Sequence, residues 1–165
     1  MNLQPILGNE LISLQPITDN DFEALFTIAA DPLIWEQHPD TLRYKREVFK
    51  NYFDSAIASK GAFLIIDNAT HEIIGSSRYY ELDNNQIAIG YTFIAREYWG
   101  KAYNKQLKNL MINYAFMHVE KVVFYIGCNN IRSQKAIEKI GAKLIGTKDD
   151  SLVYGINKTE WNKNN

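Results

Sequence analysis

QIAIGYTFIAREYWGKAYNKQLKNLMINYAFMHVEKVVFYIGC, Gln86 to Cys128, is the stretch whose reading decides the fold. Gln86 to Ile94 reads as a strand. The segment Trp99-Gly100-Lys101-Ala102-Tyr103-Asn104-Lys105 comes next as a short loop with small residues. Leu107, Leu110, Met111, Tyr114 and His118 then recur at helical spacing, which predicts a helix to about Val119. Such a stripe is normally core, and His118 reads as a packed or end-of-helix histidine. Lys121 to Cys128 reads as a buried strand. A crossover that carries a helix predicts that the two strands are parallel.

Working outward, Leu11 to Ile17 reads as a first strand. Thr18 offers a helix N-cap with Asp21 three residues on, a weak capping box. Phe22, Leu25, Phe26 and Ala29 mark a helix that Asp31-Pro32 should end. Trp35 to Arg43 reads as a loop, and Lys45 to Ser59 as an amphipathic helix. Strands are expected at Ala62 to Asp67 and Glu72 to Glu81, with turns at Asn68 to His71 and Asp83 to Asn85. Downstream, a helix from Asn130 to Ile140 stops at Gly141, and Lys143 to Thr147 and Leu152 to Asn157 make a last pair of strands. The antiparallel meander in the middle excludes a purely doubly wound sheet. The expectation is one α/β (α+β) domain over residues 1–165, with a core at about 11–157. It has a mixed, mostly antiparallel sheet of six to seven strands, flanked by about four helices.

The bulk properties narrow the function. The chain has 165 residues, 46% of them apolar and 13% aromatic, with a net charge of -1. That length and composition fit one folded domain. The charge supplies no overall drive toward nucleic acid or an anionic membrane, so neither is expected as a partner. The single cysteine, Cys128, at the end of an apolar run, reads as a buried thiol. MNLQPILGNE lacks the basic and apolar regions of a signal peptide, and no apolar run is long enough to span a bilayer. A cytoplasmic location is expected.

The loop has a specific chemistry. A helix start leaves backbone N–H groups unpaired and carries partial positive charge. Small residues at Gly100 and Ala102 let a ligand approach that backbone. The result is an anion site suited to a diphosphate, to which Lys101 and Lys105 add charge. Taken alone, the loop is better explained by a tight strand-to-helix turn at Gly100, since short glycine motifs match often by chance. The later segment NIRSQKAIEKIGA, Asn130 to Ala142, places Asn130 at an N-cap and Gly141 at a left-handed C′ position.

Together these segments resemble the GNAT superfamily of acetyl-CoA-dependent N-acetyltransferases, and most closely its RimJ/RimL-like branch. The resemblance rests on YWGKAYNKQLKNLMINYAF (Tyr98 to Phe116), on N-x-x-S-x-x-x-x-E-K-x-G-A (Asn130 to Ala142), on IIGSSRYY (Ile73 to Tyr80) and on the element order. It covers about Leu11 to Tyr154. It implies acetyl-CoA as cosubstrate and no metal. Trp99 to Lys105 would bind the CoA diphosphate through backbone N–H groups, and Thr92, Phe93 and Ile94 would pair with the pantetheine arm and offer an N–H to the thioester oxygen. Asn130 would contact pantetheine, and Lys135 the phosphates. The chain departs from the family where a second loop glycine is Ala102, where Asn104 and Lys105 replace small residues, and where a frequent tyrosine acid is Ile137. Ser133 takes the acid's role instead, unless its hydroxyl only caps the first helical turn.

The expected reaction is direct attack of a neutral amine on the thioester in a ternary complex. Candidate bases are Glu81 and His38, with Glu36 and Asp149 also on the expected acceptor side, and water is an alternative relay. The acceptor is a protein N-terminus or a small amine, and the protein a monomer or homodimer. A CoA-binding sensor without catalysis, or an interaction domain on the same fold, are the alternatives.

Overall fold

The computed structural model describes residues 1–164, and its centre is the expected crossover: β5 (Gln86–Ile94), α3 (Tyr103–Ala115) and β6 (Lys121–Gly127). β5 and β6 are parallel, and every other strand pair is antiparallel. Upstream lie β1 (Leu7–Gly8), β2 (Ile12–Pro16), α1 (Phe22–Ala29), α2 (Arg46–Ser59), β3 (Ala62–Asp67) and β4 (Ile73–Asp83). Downstream lie α4 (Ile131–Lys139), β7 (Lys143–Lys148), β8 (Ser151–Asn157) and α5 (Lys158–Asn164). The sheet order is β1-β2-β3-β4-β5-β6-β8-β7.

Among the described residues there are thus eight strands and five α-helices, more than the six to seven strands and about four helices expected. β1 has two residues, too few to show a period. α5 is polar apart from Trp161, which is buried, so it carries no apolar stripe. The Asp21 carboxylate accepts from both the N–H and the hydroxyl of Thr18, as the weak capping box suggested, but a single 3-10 turn (Asp19–Asp21) comes before α1. α3 stops at Ala115, short of the expected Val119, because the next residues turn back with N–H bonds from His118 and Val119 to the Ala115 carbonyl. His118 is exposed beyond the helix end. Cys128 is exposed, not buried, because β6 ends at Gly127 and Cys128 enters the turn toward α4.

Alternation along the strands sends side chains to two cores. Phe63, Ile65, Ile87 and Ile89 join Leu107, Met111 and Ile112 on the α3 face. Ala62 and Leu64 join Phe49, Tyr52 and Phe53 on the α2 face. β5 breaks this alternation. Strict alternation from Ile87 and Ile89 would put residues 91 and 93 on the α3 face. Instead Phe93 packs in the α2 core and Ile94 in the α3 core. The cause is a β-bulge: pairing with β4 shifts between Ser76↔Phe93 and Arg78↔Gly90, and Tyr91 takes a φ of +52°. Bulges of this kind re-aim side chains.

Candidate active site

The bulge lies where two strands part. β5 and β6 pair only over Gln86↔Lys121, Ile87↔Val122 and Ala88↔Val123. Beyond Ala88 the facing edge of β5 has no strand partner, while β6 turns its other edge to β8 through Gly127. Unpaired strand edges offer backbone donors and acceptors to a ligand. Thr92, Phe93 and Ile94 lie on this free stretch of β5.

At the open end the chain turns into α3. Gly100 and Ala102 both lie in the left-handed region, at φ +72° and +57°. No atom lies within 4 Å of where a Gly100 Cβ would sit, so the loop is open on that side. Ala102 holds its conformation at a cost of roughly 1 kcal/mol that glycine would avoid. The first helical bond runs from the Gln106 N–H to the Ala102 carbonyl. The N–H groups of Tyr103, Asn104 and Lys105 precede it and have no partner within the helix. Lys101 and Lys105 are exposed beside them. The Tyr103 side chain is tied back, its hydroxyl donating to Asp67 Oδ1 at 3.0 Å. The loop and strand edge therefore fit a diphosphate followed by an extended amide-bearing arm.

α4 borders the same opening. Asn130 is buried, and its Oδ1 accepts from the Ser133 N–H at 3.4 Å, as an N-cap should. The cap is thus Asn130, not Ser133. Among the described residues the half-buried Ser133 hydroxyl has no hydrogen-bond partner, which leaves it available. Lys135 is exposed on the same helix, and Ile137 is buried in the core. Arg132 bridges the two sides: its guanidinium lies 4.0 Å over the Trp99 ring, and its N–H donates to Gln37 Oε1. Nothing in the residue pattern signalled that bridge, because it joins segments far apart in the chain.

The loop between α1 and α2 covers the α2 side. Trp35 packs on Phe93 with ring centroids 5.3 Å apart, and Pro39 occupies the space where a Gly127 Cβ would be. His38 is neutral at pH 7: burial first, then the charge of Arg43, holds its imidazole down at about 4. Its Nδ1 faces the Asp40 N–H at 2.9 Å and its Nε2 faces Arg43 Nη1 at 3.4 Å, so a donor stands at each ring nitrogen. His38 therefore offers no free lone pair here. Glu36 is exposed and pairs with Arg132, Asp149 is exposed in the β7–β8 turn, and Glu81 is exposed and pairs with Lys148 at 3.4 Å. The structure brings Glu81 beside Tyr125, whose ring centroid lies 6.2 Å from that of Tyr80.

Beside the bulge is a patch that sequence reasoning missed. Arg78 on β4 is 4% exposed, and its guanidinium lies 3.9 Å over the Tyr91 ring. Its Nη2 donates to Ser55 Oγ at 3.2 Å and, weakly, to the Tyr52 carbonyl at 3.4 Å. Its Nε is the one buried side-chain nitrogen or oxygen without a partner among the described residues. Burial lowers its pKa, and among the described residues no carboxylate pairs with it. A desolvated cation–π contact returns about 2 kcal/mol or more, while removing an unpaired charge from water costs several kcal/mol. Arg43 stands close by, over Tyr52 at 5.1 Å and Trp35 at 5.6 Å. The Tyr52 hydroxyl donates to the Tyr91 carbonyl at 2.6 Å and pins the bulge.

On the opposite face, Lys108 of α3 is also 4% exposed. Its ammonium donates to Thr92 Oγ1 at 2.7 Å, and Thr92 shares a 2.8 Å bond with Ser77 Oγ. Burial brings its pKa down to about 7. Among the described residues no group of His, Cys, Asp or Glu could hold a metal ion, and no helix is long and apolar enough to cross a membrane.

This arrangement matches a known one. Residues 12–143 fit the family described as Acetyltransferase (GNAT) domain. The chain belongs to the GNAT acetyltransferases. Solved structures share the fold at low identity. A GCN5-related N-acetyltransferase from Brucella melitensis has a TM-score of 0.82 at 19% identity, covering 96% of this chain and 81% of that one. A GNAT-family acetyltransferase from Bacillus anthracis has 0.77 at 18%, covering 94% and 100%. Mycobacterium smegmatis RimJ, solved with CoA-disulfide, has 0.72 at 16%, covering 94% and 87%. GNAT acetyltransferases use acetyl-CoA, and the parted strands with the Gly100 loop suit such a cosubstrate.

Proposed function

We propose that this protein transfers the acetyl group of acetyl-CoA to an amine nitrogen by direct attack in a ternary complex. The observation that carries the reading is the parting of β5 from β6 beside the start of α3. The diphosphate rests on the N–H groups at the Gly100–Lys105 loop, with Lys101, Lys105 and Lys135 near the phosphates. The arm follows the free edge of Thr92, Phe93 and Ile94, and Asn130 contacts it. A strand N–H at Phe93 or Ile94 faces the thioester oxygen, where a fixed donor lowers the barrier most. The amine, having lost its proton to Glu81 directly or through water, forms the new C–N bond as the C–S bond breaks. Ser133 relays to the departing thiolate the second proton, which the nitrogen sheds as the amide forms. His38, its lone pair engaged, shapes the pocket.

The Tyr98–Phe116 segment supports a place in the RimJ/RimL-like branch, with a protein N-terminus or a small amine as acceptor. The same proposal places this work in the cytoplasm, by a monomer or homodimer. The test is acetyl-CoA binding by calorimetry joined to thiol release across amines and peptides. Binding with amine-dependent release is expected, and Ser133→Ala should lower kcat by about 100-fold with KM for acetyl-CoA unchanged. Binding without release from any amine would mark a CoA sensor, and no binding an interaction domain.

A further inference from the structure

The patch around Arg78 bears on the choice of acceptor, a choice that rests on the transferase reading. Two guanidinium groups, Arg78 and Arg43, converge on the rings of Tyr52 and Tyr91 beside the bulge. Among the described residues they have a single carboxylate partner between them, Asp40, which pairs with Arg43 at 3.3 Å. Arg78 has none. Its Nη2 ties α2 to β4 through Ser55, and a purely structural tie needs no more than that. Yet Nε is buried without a partner, and among the described residues Nη1 makes no hydrogen bond. A charge that cannot be shed, held dry with donors unspent, is a receptor for an anion. The patch lies beside the thioester end of β5: Arg78 pairs with Gly90 and Ser76 with Phe93, two β4 residues apart, or about 7 Å along the strand.

We propose that the acceptor is an amine that also carries a carboxylate, which Arg78 and Arg43 hold beside the Tyr91 bulge while the amine reaches the thioester near Phe93. The carboxylate takes the donors that the protein leaves unspent. The Tyr52 and Tyr91 rings keep the pair out of water, which strengthens it. A cationic acceptor such as a polyamine would meet two guanidinium groups and be repelled.

Initial rates of thiol release test this. The peptide arm is Ala-Glu-amide, Ala-Gln-amide and Ala-Lys-amide, all with free N-termini; the small-molecule arm is 5-aminovalerate and its amide. The acid should exceed its neutral amide in kcat/KM by at least about 10-fold in one arm, and that arm identifies the carboxylate's source. Arg78→Met should erase the difference, and Arg43→Met should reduce it, with acetyl-CoA KM unchanged in both. Equal rates for acid and amide, a preference for the lysine peptide, or acetyl-CoA binding without turnover of either acid overturns the inference and leaves the GNAT reading standing. Failure to bind acetyl-CoA at all overturns the transferase reading itself. Because the wild-type ranking decides on its own, a variant that does not fold leaves the test intact.

Discussion

Arg78 and Lys108 are each 4% exposed, and they lie on opposite faces of one sheet next to the same bulge. Lys108 has a hydroxyl partner in Thr92 and a pKa near 7, so it can give up its proton and sit neutral in the α3 core. Arg78 has no such exit, because a guanidinium stays charged at any ordinary pH. Two equally buried cations therefore differ in kind. The lysine tolerates burial by titrating, and the arginine needs an anion brought to it. The bulge is what separates their environments, since it sends Thr92 to one face and Tyr91 and Phe93 to the other.

The largest effect that would sharpen this contrast concerns Lys108. Its folded pKa, about 7, lies below the ordinary lysine value. Between those two values the unfolded chain holds a proton that the folded one lacks, so stability rises with pH across that window and the penalty is full below it. Wild-type stability should climb on the order of 4 kcal/mol from pH 7 to pH 10.5 relative to Lys108→Met. Urea denaturation at several pH values measures it, and a constant difference would show that Lys108 stays charged.

His38 should act on the acid side. Its folded pKa, about 4, is below the ordinary histidine value, so stability is lost as pH falls from about 6.5 to 4. His38→Asn should flatten that limb by roughly 2–3 kcal/mol. It should leave the pKa of the acid-side limb of kcat unmoved, since its lone pair is engaged, whereas Glu81→Gln should abolish that limb. A pH–rate profile of each variant decides.

Arg78→Met should stabilise the free protein by about 1–2 kcal/mol, because an unpaired charge leaves the interior. The gain should be the same at pH 6 and pH 9, unlike the Lys108 difference; a loss of stability in thermal melts would mean that the guanidinium is a tie and not a receptor. The smallest effect belongs to Tyr52→Phe. Removing the hydroxyl from the Tyr91 carbonyl should cost about 1 kcal/mol and lower kcat while KM for acetyl-CoA holds. A wild-type kcat would show that the bulge keeps its geometry unaided.

Much of the fold was legible in the residues and some was not. β3 and β5 fall over the expected residues, and the parallel crossover comes from a helix between two strands. The helix-start loop was legible because it is local: Gly100, Ala102 and the helix after them lie within a few residues of each other. Asn130 was legible as a cap for the same reason. Cys128 was misread, since an apolar run does not announce where its strand stops. β1 and α5 escaped because one is too short to show a period and the other too polar.

By itself, then, the sequence determined the order of the elements from β2 to β8, the small-residue loop before α3 and the cap after β6, all set by short-range backbone preference and side-chain period. Only the tertiary structure decided that β5 leaves β6 after Ala88, that a bulge swaps the faces of Thr92 and Phe93, and that Arg78 and Lys108 end up buried on opposite sides. The reason is physical: a strand's free edge, a bulge and a charge's surroundings are properties of neighbours in space, and those neighbours are Tyr52, Arg43 and Thr92, drawn from elements far from Arg78 or Lys108 along the chain.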